Sequence, residues 1–304
     1  MIYGIIGLGI MGGSIAKALR SKVINQNSGS SSKDKIVALD KNNESLFAAI
    51  TAGVIDEAFT PSETNKMLAE CDFIFICLYP TATVNFLQEH RFDFKDNAII
   101  TDISGVKHEL AKQYKSICPP NAHLILGHPM AGGEKEGFTA AKAEYFENHN
   151  YIIIVPSEKN ADNADNGDDG VKAPDPEKLN FFKSLILQMG FTRITETDAD
   201  THDNKIGFTS QLCHVVASAM VESAEDSEIT SFGGGSFEDL TRIAMINAPL
   251  WTELFLSNKE KLLSHINTFQ SHLSQIEKLI KNDDAEGLKT LLEDVRKKRI
   301  EMQK

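Results

Sequence analysis

The residues best suited to chemistry in this chain surround a histidine in the stretch Gly-His-Pro-Met-Ala-Gly at 127–132. His128 stands between a glycine and a proline, which predicts a rigid, turn-like backbone and excludes a helix interior. Its imidazole can take up or release a proton near neutral pH. His128 is therefore a candidate general base.

A candidate dinucleotide site precedes this histidine. The apolar run Ile2–Ile6 leads into a Gly-x-Gly-x-x-Gly motif, whose members are Gly7, Leu8, Gly9, Ile10, Met11 and Gly12. Between a strand and a helix, this motif directs backbone amides at a pyrophosphate. Asp40 ends the next predicted strand, where its carboxylate would accept hydrogen bonds from the adenosine ribose and repel a 2′-phosphate. The pattern predicts NAD rather than NADP.

Three polar positions lie further along the chain. Ser104 follows a predicted strand and precedes a helix, which places it at the carboxyl edge of the sheet, where open α/β folds bind ligands. His214 lies on a helical run, and Arg242 follows a glycine turn with apolar neighbours. A half-buried arginine could bind a carboxylate through paired hydrogen bonds. The alternatives are a core histidine and a surface arginine.

The elements that must position these residues change in character along the chain. Nearly everything from Thr201 onward is helical in pattern, whereas the first part alternates helices with short apolar strands, at Ile2–Ile6, Ile36–Leu39, Phe73–Leu78, Ala98–Thr101, His123–Leu126 and Tyr151–Val155. Continuously apolar strands separated by helices indicate a parallel sheet covered on both faces. We expect an α/β, doubly wound, mainly parallel Rossmann-type domain at 1–199 and an all-helical domain at 200–304.

Two polar stretches, Ser21–Lys35 and Ser157–Lys178, are too poor in apolar residues to repay the entropy of ordering. We expect both to be mobile surface insertions. The first also accounts for the long spacing between the glycine motif and Asp40.

Composition narrows the functional class. The 304 residues carry a formal net charge of −12, and without a basic stretch to neutralise phosphates they exclude a nucleic-acid partner. The four cysteines have no paired spacing, so no disulfide framework or metal site is indicated, and their use fits a reducing cytoplasm. We also expect no targeting signal and no membrane span.

Five segments in order resemble the prephenate/arogenate dehydrogenases of tyrosine biosynthesis: GLGIMGGSIA, TDISGVK, GHPMAGGEKEG, THDNKIGFTSQLCH and FEDLTRIAMINAPLW. The resemblance runs from Ile2 to about Asn258, and the GHPMAGGE and FEDLTRIA motifs are quite specific. It is closest to a monofunctional prephenate dehydrogenase. The implied reaction is oxidative decarboxylation of prephenate to 4-hydroxyphenylpyruvate and CO2, with hydride transfer to NAD.

The resemblance also implies roles for residues. His128 would accept the proton of the 4-hydroxyl, and Arg242 would bind the ring carboxylate. His214 and Trp251 would line the pocket. Glu134, together with His202 and Asp203, would form a polar gate at its entrance.

One position departs from the family pattern. The family has a serine directly before the Val-Lys pair of the second segment, where this chain has Gly105. Ser104 could take over the orientation of the hydroxyl and the nicotinamide only through a shift of the loop. Lys107 is interpreted as structural.

The resemblance further implies a homodimer through the helical domain, and the apolar run Ile206–Ala224 is long enough to be buried by a partner. Three alternatives remain open. One is an arogenate dehydrogenase, which gives tyrosine directly. Another is a 3-hydroxyacid-type dehydrogenase with Lys205 as the base. The third is a nonenzymatic NAD sensor.

Overall fold

A computed structural model describes residues 1–25, 34–133, 135–156 and 171–302. Within these ranges, eight strands form one sheet in the order β3-β2-β1-β4-β5-β6-β7-β8. The strands are β1 (Ile2–Ile6), β2 (Lys35–Leu39), β3 (Glu57–Phe59), β4 (Phe73–Ile76), β5 (Ile99–Asp102), β6 (His123–Pro129), β7 (Asn150–Ile154) and β8 (Arg193–Thr197).

The helices flank the sheet and then continue alone after it. They are α1 (Ile10–Ala18), α2 (Asn43–Thr51), α3 (Thr64–Glu70), α4 (Pro80–Glu89), α5 (His108–Lys112), α6 (Tyr114–Ile117), α7 (Pro176–Gln188), α8 (Ala199–Ile206), α9 (Leu212–Glu222), α10 (Gly235–Thr241), α11 (Ala248–Ser257), α12 (Lys259–Lys281) and α13 (Ala285–Glu301). Within the described ranges, no helix combines the length and apolar character needed to cross a membrane.

The strand order confirms the predicted Rossmann-type architecture. Strands β1 to β6 pair in parallel, so their carboxyl ends share one edge of the sheet. The order reverses between β1 and β4, which is the crevice where such sheets bind dinucleotides. β7 pairs antiparallel with β6, and β8 pairs parallel with β7, so these two strands run opposite to the other six.

Both faces of the sheet are buried, as the apolar strands predict. Phe73 and Phe75 of β4 point into one hydrophobic core, and Ile74 and Ile76 point into the other. This alternation follows from the two-residue period of a strand and requires helices on both faces.

Two strands were not predicted from the sequence. β3 has three residues, and β8 carries the polar sequence Arg-Ile-Thr-Glu-Thr at the edge of the sheet. An edge strand with largely exposed side chains has no apolar run to mark it. The helical region begins where expected, because Asp198 caps α8 by accepting a hydrogen bond from the Thr201 amide at 2.9 Å.

The predicted insertions are only partly tested. Residues 26–33 and 157–170 lie outside the described residues. The expectation was wrong for the start of the first stretch, because a π-helical segment covers Leu19–Ile24 and buries Val23 and Ile24. It was also wrong at the end of the second, where Pro176 begins α7.

Candidate active site

The glycine motif forms the turn between β1 and α1. Gly7 has a φ of +90°, a conformation that side chains other than glycine rarely adopt. A Cβ on Gly12 would lie 1.9 Å from the Gly7 carbonyl oxygen, so only glycine permits this close approach. A Cβ on Gly9 would meet nothing within 4 Å, so the backbone there is open to a ligand.

The surroundings of this turn fit a dinucleotide. Gly9 is the N-cap of α1, and the first turn of the helix carries no acidic side chain that would compete with a phosphate. Asp40 lies at the carboxyl end of β2, where its carboxylate accepts hydrogen bonds from the Leu8 and Asn42 amides. A carboxylate has about four acceptor positions, so it can still accept hydrogen bonds from a ribose.

His128 lies near the carboxyl end of β6 and is half-buried. The predicted turn was wrong, because residues 127–129 pair antiparallel with β7 and place His128 opposite Ile152. Strand β6 is longer than predicted because its first half pairs with β5 and its second half with β7. The backbone of the histidine is therefore held in a sheet, which fixes the position from which its side chain extends.

A chain of buried polar groups lies behind His128. Its Nδ1 is 2.9 Å from Nε2 of His202, and Nδ1 of His202 is 2.6 Å from Oδ1 of Asp203. The side chains of His202 and Asp203 are fully buried. The prediction of an entrance gate made from these two residues was wrong, because they pack beneath the candidate base.

Burial and charge set the protonation state of the two imidazoles. The pKa of His128 is lowered well below its ordinary value, first by burial and then by His202 and Lys107. Burial likewise lowers the pKa of His202, against the opposing effect of Asp203. Both rings are therefore neutral at pH 7.

A second buried pair supports the loop opposite His128. Nζ of Lys107 lies 2.6 Å from Oδ2 of Asp102, and both side chains are fully buried. The same carboxylate accepts hydrogen bonds from the Ser104 amide at 2.9 Å and the Gly127 amide at 3.2 Å. Lys107 thus fixes the loop, in agreement with its predicted structural role.

The loop itself faces the open side of the imidazole. A Cβ on Gly105 would lie 3.7 Å from Nε2 of His128 and 3.4 Å from Leu254 on α11. Ser104 is 4% exposed, and its Oγ has no hydrogen-bond partner among the described residues. An unpaired buried hydroxyl is costly, so a bound group that supplied the missing hydrogen bond would stabilise this loop.

The other predicted pocket residues form a second cluster, on the helices. The rings of His214 and Trp251 have centroids 3.6 Å apart, and Nδ1 of His214 donates to the Ile243 carbonyl at 2.8 Å. Trp251 lies three residues before Leu254 on α11, so both occupy the face directed at Gly105. This places the aromatic cluster along the same side of α11 as the base.

The structure describes one of the two remaining predicted residues, Arg242, but not the other, Glu134. Arg242 is exposed, on a 3-10 turn that starts directly after α10, so the expectation of a half-buried side chain was wrong. Glu134 lies outside the described residues. Its neighbour Glu136 accepts a hydrogen bond from Asn247 at 2.6 Å and so joins the loop after β6 to α11. No pattern in the sequence marks this bridge, because it joins two residues 111 positions apart.

Lys205, the base of one alternative, is exposed on α8. His202, Asp203 and Ile206 form the buried face of the same helix. The arrangement therefore favours His128 over Lys205 as the base.

Comparison with known proteins shows the family to which the chain is related. Two family models match the chain, the prephenate dehydrogenase nucleotide-binding domain at residues 15–166 and the prephenate dehydrogenase dimerization domain at residues 198–294. The prephenate dehydrogenase of Bacillus subtilis (strain 168) is 27% identical over 288 residues, which cover 93% of this chain and 71% of the relative.

Two further proteins are similar over most of their length. The prephenate dehydrogenase of Lactococcus lactis subsp. cremoris (strain MG1363) is 29% identical over 306 residues, covering 98% of this chain and 77% of the relative. The solved structure of prephenate dehydrogenase from A. aeolicus, in complex with hydroxyphenyl propionate and NAD+, matches with a TM-score of 0.82 and 28% identity. That match covers 99% of this chain and 98% of the other.

The glycine geometry predicts that one substitution weakens NAD+ binding and another destabilises the fold. Gly9→Ala should leave the free energy of unfolding within about 0.5 kcal/mol of the wild-type value, because its Cβ meets no atom. The same methyl should weaken NAD+ binding about tenfold or more, because it stands where the pyrophosphate approaches. Gly12→Ala should instead destabilise the fold by about 2 kcal/mol through overpacking.

Thermal unfolding and calorimetric titration with NAD+ would separate the two effects. An unchanged NAD+ dissociation constant in Gly9→Ala would contradict the assignment of this turn.

Proposed function

Because this chain belongs to the prephenate dehydrogenase family, we propose that it oxidises and decarboxylates prephenate with NAD. The products are 4-hydroxyphenylpyruvate, CO2 and NADH. The observation that carries the proposal is the neutral His128, which presents Nε2 to the Ser104–Gly105 turn at the carboxyl edge of the sheet. In tyrosine biosynthesis this reaction supplies 4-hydroxyphenylpyruvate, the keto acid that corresponds to tyrosine.

The base and the dinucleotide turn are brought together by the loop that follows β6. A Cβ on Gly133 would lie 3.3 Å from the Ile10 side chain, at the first residue of α1. The backbone after His128 therefore passes directly over the start of that helix. The reaction requires the base and the cofactor site to be close, because the hydride leaves a ring carbon and the proton leaves the hydroxyl on that same carbon.

His128 acts as the general base in this proposal. Nε2 takes the proton of the 4-hydroxyl while the C4–H bond breaks, and that proton returns to the phenol oxygen as the ring becomes aromatic. The electron pair of the bond to the departing carboxylate enters the ring, so no net proton is released. When bound, NAD+ supplies the acceptor for the hydride from C4. A neutral imidazole is required, and the lowered pKa of His128 provides it at pH 7.

Ser104 is proposed to orient the hydroxyl or the nicotinamide amide. Its buried Oγ has no partner among the described residues, and its amide is fixed by Asp102. A hydroxyl can both donate and accept a hydrogen bond, so it suits either group. Gly105 leaves room beside His128 for the substrate ring.

We propose that residues of the helical region bind the ring and the carboxylate of the substrate. Arg242 is proposed to bind the ring carboxylate, with His214 and Trp251 lining the pocket. The carbonyl next to Arg242, that of Ile243, receives the hydrogen bond from His214, which links the arginine turn to the aromatic cluster. Glu134 is proposed to form part of the entrance.

We propose that the chain divides into a nucleotide-binding domain at 1–199 and a helical domain at 200–304, and that the helical domain pairs two copies. Apolar side chains are exposed along α12 and α13, among them Leu273, Ile280, Leu292 and Val295. Burial of such a face by a second copy is favourable. The four free cysteines fit a reducing cytoplasm, where we place the enzyme.

The direct test of the function is NADH formation by the purified protein. Prephenate and arogenate would each be supplied with NAD+ and with NADP+. We expect the highest kcat/KM for prephenate with NAD+, because Asp40 disfavours the 2′-phosphate. A large advantage for arogenate would contradict the substrate assignment, and NAD+ binding without turnover of either substrate would favour the sensor.

Arg242→Gln tests the carboxylate site. Loss of one partner of a charge pair in the complex should raise the KM for prephenate, equivalent to about 2–4 kcal/mol of lost binding, with a smaller change in kcat. NAD+ affinity should not change. Steady-state kinetics at saturating NAD+ would measure both constants, and an unchanged KM would place the carboxylate elsewhere.

A further inference from the structure

The buried side chains of Asp203 and His202 form a line with the half-buried His128, which ends in the candidate active site. The distances along it are 2.6 Å from Asp203 to His202 and 2.9 Å from His202 to His128. His202 is 1% exposed and Asp203 is 0% exposed, so water does not compete for these contacts. The direction of each hydrogen bond is therefore set by the groups themselves.

Asp203 fixes the first step. Its Oδ1 accepts the Lys107 amide and its Oδ2 accepts the His108 amide, both at 2.8 Å. Burial alone would raise the pKa of Asp203, but the hydrogen bond from His202 and those two amides lower it below its ordinary value. Asp203 is thus a carboxylate, which can only accept hydrogen bonds.

The proton positions follow in sequence from this carboxylate. His202 must carry its proton on Nδ1 to donate to Asp203, and, being neutral, it has a lone pair on Nε2. His128 must then donate from Nδ1 to that lone pair. The lone pair of His128 is left on Nε2, which is the nitrogen that faces Gly105 and the substrate site.

We propose that Asp203 and His202 are positioning residues for the reaction, which hold His128 in the Nδ1–H form and stabilise its imidazolium after Nε2 accepts the proton. The proposal rests on the proposed role of His128 as the base. We call the hydrogen-bonded line from Asp203 through His202 to His128 the relay. Without the relay, the free ring of His128 would also populate the tautomer with Nε2 protonated, which cannot accept the hydroxyl proton.

The other charged groups near His128 do not stabilise its imidazolium in place of Asp203. Lys107 is paired with Asp102 on the loop opposite the ring, and its positive charge opposes the imidazolium. From α8, Asp203 supplies the negative charge behind His202 that favours the imidazolium. Removal of the Asp203 charge should therefore lower the pKa of His128 still further.

The test compares His202→Gln with His202→Leu. Because Asp203 can only accept hydrogen bonds, a glutamine turns its amide NH2 toward the carboxylate and its carbonyl toward Nδ1 of His128. His202→Gln should keep the plateau kcat within about tenfold of the wild-type value. His202→Leu should lower it about 100-fold, with the KM for prephenate and the NAD+ dissociation constant within threefold.

The pH profile separates positioning from simple support of the fold. In Asp203→Asn the acidic limb of the kcat profile should move to lower pH, because the negative charge behind His202 is lost. His265→Leu is the matched control, because His265 also contacts α8, at the Asn204 carbonyl, but lies outside the relay. It should keep the wild-type plateau and limb.

Each alternative outcome decides between the two proposals. Equal losses in the Gln and Leu variants, together with an unmoved acidic limb in Asp203→Asn, would overturn the relay and leave a structural role. Wild-type kinetics in His202→Leu would also overturn it. His128→Asn tests the proposed base separately. Full turnover in His128→Asn would show that His128 is not the base. Lost turnover in His128→Asn, combined with unaffected turnover in His202→Leu, would overturn only the relay.

Discussion

The active site depends on the buried carboxylate of Asp203. Its two oxygens accept hydrogen bonds from the Lys107 and His108 amides at the start of α5, and Oδ1 also accepts one from Nδ1 of His202. The backbone carbonyl of Asp203 accepts from Asn258, at the break between α11 and α12. One residue therefore joins the sheet, the helical region and the base. Because a buried carboxylate must have its acceptors satisfied, these contacts form together or not at all.

This constraint explains how a prephenate dehydrogenase can keep a neutral histidine beside two buried ion-pair partners. Lys107 and Asp102 neutralise each other next to the loop, and the negative charge of Asp203 reaches His128 only through a neutral imidazole. In the proposed mechanism, His128 is therefore unprotonated before the reaction, and its conjugate acid is stabilised when Nε2 accepts the proton. The glycine turn and the Ser104–Gly105 turn would then place the cofactor and the hydroxyl around this one fixed nitrogen.

The parts of this arrangement that rest on local rules could be predicted from the sequence, and those that rest on distant contacts could not. The glycine turn, Asp40 and the apolar strands were identified because spacing and hydrophobicity mark them. Strand β8 was missed because a polar edge strand has no such pattern. His202 and Asp203 were placed at the entrance rather than beneath His128, because the relay joins residues 74 positions apart and no spacing rule covers that contact. The pairing of β6 with β7, which puts His128 in a strand, is also a tertiary effect.

We expect His128 to be neutral, with its proton on Nδ1 and its lone pair on Nε2. Nuclear magnetic resonance of the protein labelled with 15N in the histidine rings measures this directly, and His128→Asn assigns the signal. At pH 7 we expect one protonated nitrogen, Nδ1, and one unprotonated nitrogen, Nε2, with loss of this pattern in His202→Leu. A ring protonated on Nε2, or on both nitrogens, would contradict both the proposed base and its positioning by His202.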